Sequence, residues 1–190
     1  MTATLKQEKP RWPRAEALHV AEEICEALRA VTVKREIAGS LRRGKTMVGD
    51  IELLYIPRWS VAPLDMFSDL QNLAEKAIAT LVEEGVLMAR RNRNGGVAWG
   101  EKNKLAVHCR TGIPVDLFAA TEANWWNYLV CRTGPAALNT RICVAAQRKR
   151  WKWNPYGAGF SREGEIVTMT SEADVFEFVG LPYQKPEERK

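Results

Sequence analysis

The sequence predicts an α+β fold: a mixed β-sheet with flanking helices, followed by a small C-terminal α/β lobe. Apolar residues recur at intervals of three and four in residues 14–29 and 64–84, which is typical of helices that bury one side. Residues 48–56 form an apolar run of strand length, and residues 103–109 and 114–119 are two strand-like segments joined by a short turn. This succession of elements indicates a mixed sheet with helices on one face.

The first 120 residues contain most of the predicted sheet. The expected elements are a loose lead-in (1–13), a helix (14–29), strands (33–38 and 48–56), a helix (64–84), a strand (86–91), the basic turn RRNRNGG and a hairpin (103–109 and 114–119). The apolar stripes of the two helices contain Leu18, Ala21, Cys25 and Leu28 in the first, and Phe67, Leu70, Ala74, Ile78 and Leu81 in the second.

The remaining residues predict a small lobe that contains three helices. The expected elements are two helices (122–131 and 135–149), short strands and turns (151–169) and a last helix (172–179). The first two helices are separated at Thr133-Gly134-Pro135, because proline suits the first turn of a helix. A boundary near residues 120–122 divides the chain into domains of residues 1–120 and 121–190.

The composition favours an anionic partner and argues against several classes of protein. The formal net charge is +5 and the isoelectric point about 9.1, which suits nucleic acid but also describes an ordinary solvated surface. The four cysteines include no CxxC pair and the two histidines lie far apart, so no zinc site is expected. Since neither a signal peptide nor a membrane-spanning run is recognisable, we expect an intracellular protein, cytoplasmic or nucleoid-associated.

Three carboxylates form the most informative pattern in the sequence. Asp50 and Glu52 are two residues apart in an expected strand, so both side chains should lie on one face of the sheet. Asp116 has a similar context, PVDLF, and all three converge if the two strands are neighbours. Such carboxylates repel one another unless a cation is present, and oxygen ligands suit Mg²⁺ or Mn²⁺. Exposed strand acids paired with surface lysines would show the same D-x-E pattern. The neighbouring sequence motifs are therefore needed to distinguish a metal site from surface acids.

A glycine-serine turn before these acids predicts a phosphate-binding site. Gly39 lets the backbone approach a ligand closely, and turn amides together with Ser40 offer donors to an anion. Arg43 can hold a phosphate with its planar fork. Gly49, just before Asp50, leaves room for a triphosphate. An ordinary basic turn would explain GS or RR alone, whereas GS-x-RRG followed by GD-x-E is far more specific.

The combined pattern resembles the family X DNA polymerases, the group that contains polymerase β. The matching segments are GSLRRGKTMVGDIELL (39–54), VDLF (115–118), TGPAALN (133–139) and VFEFVGLPYQKPEER (175–189), with RWPRAEA (11–17) similar to the helix entry before the glycine-serine turn. The resemblance covers most of the chain. It implies a nucleotidyltransferase palm in residues 1–120 and a nucleotide-selecting lobe in residues 121–190.

The resemblance also assigns roles to individual residues. It implies that Asp50, Glu52 and Asp116 hold two divalent ions, Mg or Mn, and that Asp116 accepts the proton of the primer 3′-hydroxyl. The residues implied to bind the nucleotide are Gly39, Ser40, Arg43, Gly49, Thr133, Gly134 and Asn139. Thr133 and Gly134 would form the turn beneath the sugar, and Asn139 would contact the nucleotide from the following helix.

Several positions depart from the family pattern, and each gives an expectation. Glu52 stands where the family usually has aspartate, so we expect a preference for Mn²⁺. Cys131-Arg132 replace the aromatic residues that restrict the sugar, so ribonucleotides should be accepted. Cys143 replaces a basic residue that often probes the template, so fidelity should be low. The sequence leaves no room for an amino-terminal lyase domain.

Two basic segments are candidates for contact with DNA. In QRKRWKW (147–153), Arg148, Lys149, Arg150 and Lys152 interleave with Trp151 and Trp153, which suits phosphate neutralisation and base stacking. In RRNRN (90–94), the candidates are Arg90, Arg91 and Arg93. A solvated helix end and a solvated loop are the simpler explanations. Arg42 is ambiguous, since it either faces phosphate or pairs with an acid of the second lobe.

The expected function is therefore that of a minimal DNA polymerase, acting as a monomer on a nucleoside triphosphate and on a primer-template or gapped DNA. The compact length suits a virus-encoded protein, a phage or a small repair system equally well. A nucleotidyltransferase that ignores the template, or acts on another acceptor, is the first alternative. An inactive nucleic-acid-binding module is the second, and the presence of all three acids argues against it.

Overall fold

The computed structural model describes residues 10–61, 70–92, 94–157 and 159–190. Its helices are α1 (Arg14–Ala27), α2 (Gly39–Arg42), α3 (Leu73–Glu83), α4 (Trp125–Thr133), α5 (Ala136–Arg148), α6 (Glu172–Val179) and a 3₁₀ turn (Pro186–Glu188). Its strands are β1 (Trp12–Pro13), β2 (Thr32–Ile37), β3 (Met47–Val48), β4 (Ile51–Pro57), β5 (Trp59–Ser60), β6 (Gln71–Asn72), β7 (Leu87–Ala89), β8 (Asn103–His108), β9 (Pro114–Ala119), β10 (Lys152–Asn154), β11 (Gly159–Arg162) and β12 (Glu165–Val167). In this part of the chain, no helix is both long and apolar enough to cross a membrane.

The main sheet contains five strands in the order β2-β4-β9-β8-β7. Strands β4 and β9 are parallel, whereas the other neighbouring pairs are antiparallel. The mixed sheet predicted from the sequence is thus confirmed, as is the hairpin that β8 and β9 form. The parallel pair lies at the centre of the sheet, and both strands carry candidate catalytic acids.

Alternation along β4 buries residues on both faces of the sheet. Ile51, Leu53 and Tyr55 face one side, where they pack in a core with α1 and α3. Leu54 and Ile56 face the other side, where Trp125, Tyr128 and Leu129 of α4 cover them. The first two long helices lie on one face, as expected, and the first helix of the C-terminal lobe covers part of the opposite face.

The C-terminal lobe, here α4–α6 with β10–β12, surrounds a second apolar core. Helices α4, α5 and α6 contribute Val130, Ile142 and Phe176, and the antiparallel strands add Trp153 and Phe160. Helix α6 has the bounds expected from the sequence. It begins where the Ser171 side chain accepts a hydrogen bond from the Asp174 amide at 3.1 Å, and it ends at Gly180 in a left-handed conformation.

Helix α3 is shorter than expected. It begins only at Leu73, because the Asn72 side chain accepts hydrogen bonds from two amides of the first turn and β6 precedes it. Ala74, Ile78 and Leu81 form the buried stripe, as predicted, but Leu70 is 61% exposed. Phe67 and the rest of residues 62–69 lie outside the described residues.

The predicted strand over 48–56 is divided into two pieces. Val48 pairs with β1, a bend follows at Gly49, and β4 begins at Ile51. Asp50 therefore precedes the strand instead of lying in it. The bend turns the chain from the small β1–β3 pair into the main sheet.

Candidate active site

Glu52 and Asp116 lie side by side on the central strands of the sheet. They are register partners across the parallel pair β4 and β9, which gives their side chains the same face. The charge of Asp50 raises the pKa of both carboxyls, so the three acids are close enough to interact. The convergence expected from the sequence is present. The reason given for Asp50 was wrong, because the bend ahead of β4, not alternation within a strand, places it there.

The environment of these acids disfavours negative charge. Burial raises the pKa of Glu52 to about 7; Asp50 and Asp116 contribute in the same direction, and Arg132 and Arg43 oppose it. Burial also raises the pKa of Asp116, whereas Arg90 lowers it. A cation among the three carboxylates would remove both the repulsion and part of the desolvation cost.

Gly39 brings the backbone into direct contact with the acids. Its φ of +65° is in the left-handed region, and a Cβ at this position would lie 2.7 Å from Glu52 Oε2. The Ala38 amide donates to the Glu52 carbonyl at 2.8 Å, which fixes the turn on β4. At Gly49, by contrast, a Cβ would meet nothing within 4 Å, so packing within the chain does not require glycine there.

Arg43 connects the glycine-serine turn to the C-terminal lobe. Its Nη1 donates to the Thr133 carbonyl and lies 3.3 Å from where a Cβ on Gly134 would stand. Its Nε is buried without a partner among the described residues, and burial lowers the pKa of the guanidinium. The side chain is thus cationic, partly unsatisfied and at the junction of the two predicted nucleotide-binding segments.

Most of the predicted site residues line one cleft of about 270 Å³ between the sheet and α5. Its lining comprises Gly39, Ser40, Arg43, Asp50, Glu52, Cys131, Arg132, Gly134, Pro135, Ala136 and Asn139. Asp116 and Thr133 lie behind this lining, as Asp116 pairs with Arg90 and Thr133 is fully buried. Gly49 lies instead in an adjoining groove of about 480 Å³ with Ser40, Arg43, Arg11 and Lys45.

Asn139 lines the cleft with one amide atom unpaired. Its Nδ2 donates to the Cys131 carbonyl at 2.8 Å, which orients the amide at the start of α5. Its Oδ1 is buried and has no hydrogen-bond partner within the described part of the chain. Buried acceptors are normally satisfied, so this amide departs from the usual pattern at the edge of the cleft.

Arg42 is bound to the C-terminal lobe rather than free to meet a phosphate. Its Nη1 and Nη2 donate to the two oxygens of Glu172, both at 2.8 Å, and Nη1 also donates to Thr133 Oγ1 at 2.8 Å. Arg189 adds a second cation, with its Nη1 3.0 Å from Glu172 Oε1. Of the two possibilities left open by the sequence, the structure shows the ion pair.

The sequence did not predict that two arginines lie beside the acids. Arg90, a candidate for contact with DNA, donates from Nη2 to Asp116 Oδ1. Arg132 was seen only as a replacement for an aromatic residue, but its Nη1 lies 3.9 Å from Glu52 Oε1. No local signal reveals either contact, because each joins residues far apart in the chain.

The other candidate DNA-binding residues remain on the surface. Arg148, Arg150 and Lys152 are exposed, and Lys149 donates to the Phe178 carbonyl at 2.7 Å. Arg91 donates to the Gly95 carbonyl at 2.7 Å, and Arg93 lies outside the described residues. Trp153 is only 7% exposed and Trp151 packs edge-on against Phe178, so these rings serve the lobe's core and are not free stacking surfaces.

The acids have the donor chemistry of a magnesium or manganese site, although Asp116 is paired with Arg90 and Glu52 lies within 3.9 Å of Arg132. Across residues 10–61, 70–92, 94–157 and 159–190, no group of three or more His, Cys, Asp or Glu side chains is arranged to hold a metal ion. Asp50, Glu52 and Asp116 nevertheless offer only carboxylate oxygens, in a buried place where their charges repel. The donor set therefore fits hard divalent cations.

Comparison with known proteins agrees with the fold. Residues 11–107 match the family model of the DNA polymerase beta palm, and residues 128–190 match that of the DNA polymerase beta thumb. The fold is similar to that of Leishmania infantum polymerase beta, solved as a ternary P/T complex, with a TM-score of 0.75 and 19% sequence identity. The match covers 95% of this chain and 77% of that chain. The chain therefore belongs to the polymerase β-like family X DNA polymerases and contains both the palm and the thumb of that family.

Proposed function

We propose that this protein is a minimal DNA polymerase that adds nucleotides to the 3′-hydroxyl of a DNA primer and releases pyrophosphate. Gap filling and end extension are the two forms that this reaction would take. Membership of the family supports a nucleotidyltransferase. We infer a monomer with a catalytic domain over residues 1–120 and a nucleotide-selecting lobe over 121–190.

The observation that carries the proposal is the common cleft of the acids and the phosphate-binding turn. Glu52 and Asp116 are paired in register, and Gly39 approaches Glu52 closely enough to exclude any side chain. Gly134 and Asn139 of the lobe face the same cleft. Acids, anion-binding turn and lobe are brought together as phosphoryl transfer requires, since its catalysis is mainly positioning and electrostatic stabilisation.

The triphosphate would bind along the glycine-serine turn. Ser40 and Arg43 line both the cleft and the adjoining groove, in which Arg11 and Lys45 add positive charge. Phosphates in the groove would lie beside the guanidinium of Arg43. The sugar and base would then lie against Gly134 and Asn139, which line the cleft.

Asp50, Glu52 and Asp116 would hold two divalent ions, which when bound supply Lewis-acid stabilisation of the reacting phosphate. Asp116 would accept the proton of the primer hydroxyl, because burial raises its pKa. Glu52, one methylene longer than aspartate, is the basis for the expected Mn²⁺ preference. Cys131 and Arg132 line the cleft, and the expected acceptance of ribonucleotides rests on them.

A primer-extension assay would test this proposal. The purified protein would be given a one-nucleotide-gapped duplex, an open primer-template or a single strand, with each deoxy- or ribonucleoside triphosphate and either Mg²⁺ or Mn²⁺. We expect metal-dependent addition of the templated nucleotide, lost by at least about a thousandfold in Asp116→Asn. Glu101→Gln, an exposed acid outside the proposed machinery, is the matched control and should keep full activity.

The remaining outcomes separate the alternatives. Addition without regard to the template would indicate a terminal or non-DNA nucleotidyltransferase. DNA binding without metal-dependent turnover would indicate a binding module, and the salt dependence of its affinity would give the number of phosphates contacted. Equal activity with Mg²⁺ and Mn²⁺, or strict rejection of ribonucleotides, would contradict the expectations attached to Glu52 and to Cys131-Arg132.

A further inference from the structure

We propose that Arg90 and Arg132 are positioning residues that act as built-in counter-cations for Asp116 and Glu52 until divalent ions bind. The proposal rests on the proposed function, since it concerns the same carboxylates. It assigns to two arginines, from two separate elements, the task of holding an acid cluster together and of setting its affinity for metal.

Arg90 is anchored on both sides of its contact with Asp116. It follows β7, its backbone amide donates to the Leu105 carbonyl at 2.9 Å, and its Nε donates to the Ala106 carbonyl at 3.1 Å. The guanidinium then donates to Asp116 through Nη2. With a side chain only 28% exposed, Arg90 is fixed by the edge of the sheet rather than free in solvent.

Arg132 reaches Glu52 from the C-terminal lobe. It lies in the last turn of α4, with Nη1 3.9 Å from Glu52 Oε1 and a side chain 23% exposed. Its Cζ lies 3.5 Å from the ring centre of Phe118, and the rings of Tyr128 and Tyr156 stand 5.3 and 5.2 Å away. Three aromatic faces therefore hold the guanidinium beside the acid by cation–π attraction.

These arginines balance the charge of the cluster only in part. Arg90 and Arg132 contact Asp116 and Glu52, whereas Asp50 has no ion pair within the described residues and Arg43 acts on the cluster only from a greater distance. The metal-free site is therefore held together without each acid having its own counter-charge. A divalent ion must share the carboxylate oxygens with the guanidiniums or displace them. Arg132 also lines a second cavity of about 640 Å³, with Tyr128, Tyr156 and Asn124, into which its side chain has room to withdraw.

This arrangement has two opposite consequences. Each arginine stabilises the metal-free fold, because it relieves repulsion among buried carboxylates. Each also weakens metal binding, because a cation a few ångströms from the ions repels them. Removing one guanidinium should therefore lower the stability of the metal-free protein and raise its affinity for metal.

The test compares wild type with Arg132→Met and Arg90→Met, which remove the charge and retain much of the side-chain length. Mn²⁺ affinity would be measured from the electron paramagnetic resonance signal of free Mn²⁺, and thermal unfolding would be followed in EDTA. We expect about fivefold tighter Mn²⁺ binding and a lower melting temperature in each variant. Arg132→Lys should restore the wild-type affinity, and Arg141→Met, an exposed arginine on α5, should change neither quantity.

The outcomes distinguish this inference from the function on which it rests. Arg132→Met and Arg90→Met could each lower the melting temperature and leave the Mn²⁺ affinity unchanged. Both arginines would then have only a structural role, which would overturn the proposal but leave the polymerase assignment in place. Weaker Mn²⁺ binding would show that the arginines assist the metals instead of opposing them, which also overturns it. No Mn²⁺ binding by wild type would remove the proposed metal site itself.

Discussion

Glu172 and Glu52 are both largely buried, yet their surroundings shift their pKa values in opposite directions. The Glu172 side chain is 7% exposed and receives two hydrogen bonds from Arg42 and one from Arg189. The Glu52 side chain is 19% exposed and has only a distant contact with Arg132, while two other carboxylates lie nearby. The pKa of Glu172 is lowered in spite of burial, because hydrogen bonds and charge from Arg42 outweigh it, whereas the pKa of Glu52 is raised to about 7.

The difference separates a structural ion cluster from the proposed functional one. Around Glu172 the fold supplies enough donors to compensate the cost of burial, and the cluster joins α2, α4 and the C-terminal residues. Around Glu52 the fold leaves negative charge in excess, which costs stability unless a ligand supplies the missing cation. Perturbed and under-compensated groups of this kind are typical of functional sites.

The largest expected effect is on the structural cluster. Glu172→Gln should lower the free energy of unfolding by about 3 kcal/mol, because it leaves the fully buried Arg189 without a counter-charge and Arg42 with only the more distant, half-exposed Glu36. Urea unfolding of both proteins at neutral pH would measure this. Glu165→Gln is the control, since its contact with Arg162 is exposed and should be worth about 0.5 kcal/mol or less. Equal losses of unfolding free energy in the two variants would show that the buried ion pairs of Glu172 stabilise the fold no more than the exposed pair of Glu165.

The stability difference between wild type and Glu172→Gln should also depend on pH. Because the folded-state pKa of Glu172 is lowered, its contribution is complete above the unfolded value of about 4.3 and is lost as the pH falls toward the folded value. Unfolding curves from pH 7 to pH 3.5 should show a constant difference at first and a smaller one below about pH 4.3. A difference that shrinks as the pH rises would contradict the assigned ion pair.

The comparison also shows what the sequence predicts and what it does not. Helix α6 has its expected bounds because Ser171 and Gly180 are local signals for its beginning and end. The pairing of Glu52 with Asp116 follows from strand alternation once two strand patterns are recognised as neighbours. Such features are encoded within a few residues of chain.

The ionic contacts are not encoded in that way. Arg42 meets Glu172 and Arg132 meets Glu52 across distances in sequence that no periodicity spans. The start of α3 at Leu73 and the bend at Gly49 also escaped the apolar pattern, because a cap at Asn72 and a short pairing of β3 with β1 override it. Trp153 likewise belongs to the core of the C-terminal lobe, although the basic residues next to it in sequence suggest an exposed position.

A substitution in the glycine-serine turn should affect the functional cluster by a smaller amount. Gly39→Ala places a methyl group within 2.7 Å of Glu52 Oε2 at a left-handed backbone position, so the carboxylate must move. We expect about a tenfold loss of primer extension and about 1 kcal/mol of lost stability. Gly44→Ala has the same backbone strain, with φ of +72°, but its Cβ meets nothing within 4 Å. It should lose similar stability and keep its activity; equal activity losses would attribute the effect to strain alone.

The smallest expected change in stability is an increase, and it tests most directly whether Glu52 and Glu172 differ in charge compensation. Glu52→Gln removes one of three mutually repelling carboxylates, so it should raise the metal-free stability by about 1 kcal/mol while abolishing nucleotide addition. Urea unfolding at pH 8 in EDTA would measure the gain beside the loss in Glu172→Gln. Two buried glutamates would then respond to the same substitution in opposite directions, because only one has its charge compensated by the fold. A loss of stability in Glu52→Gln would mean that Arg132 already neutralises Glu52, and the excess charge that favours metal binding would be absent.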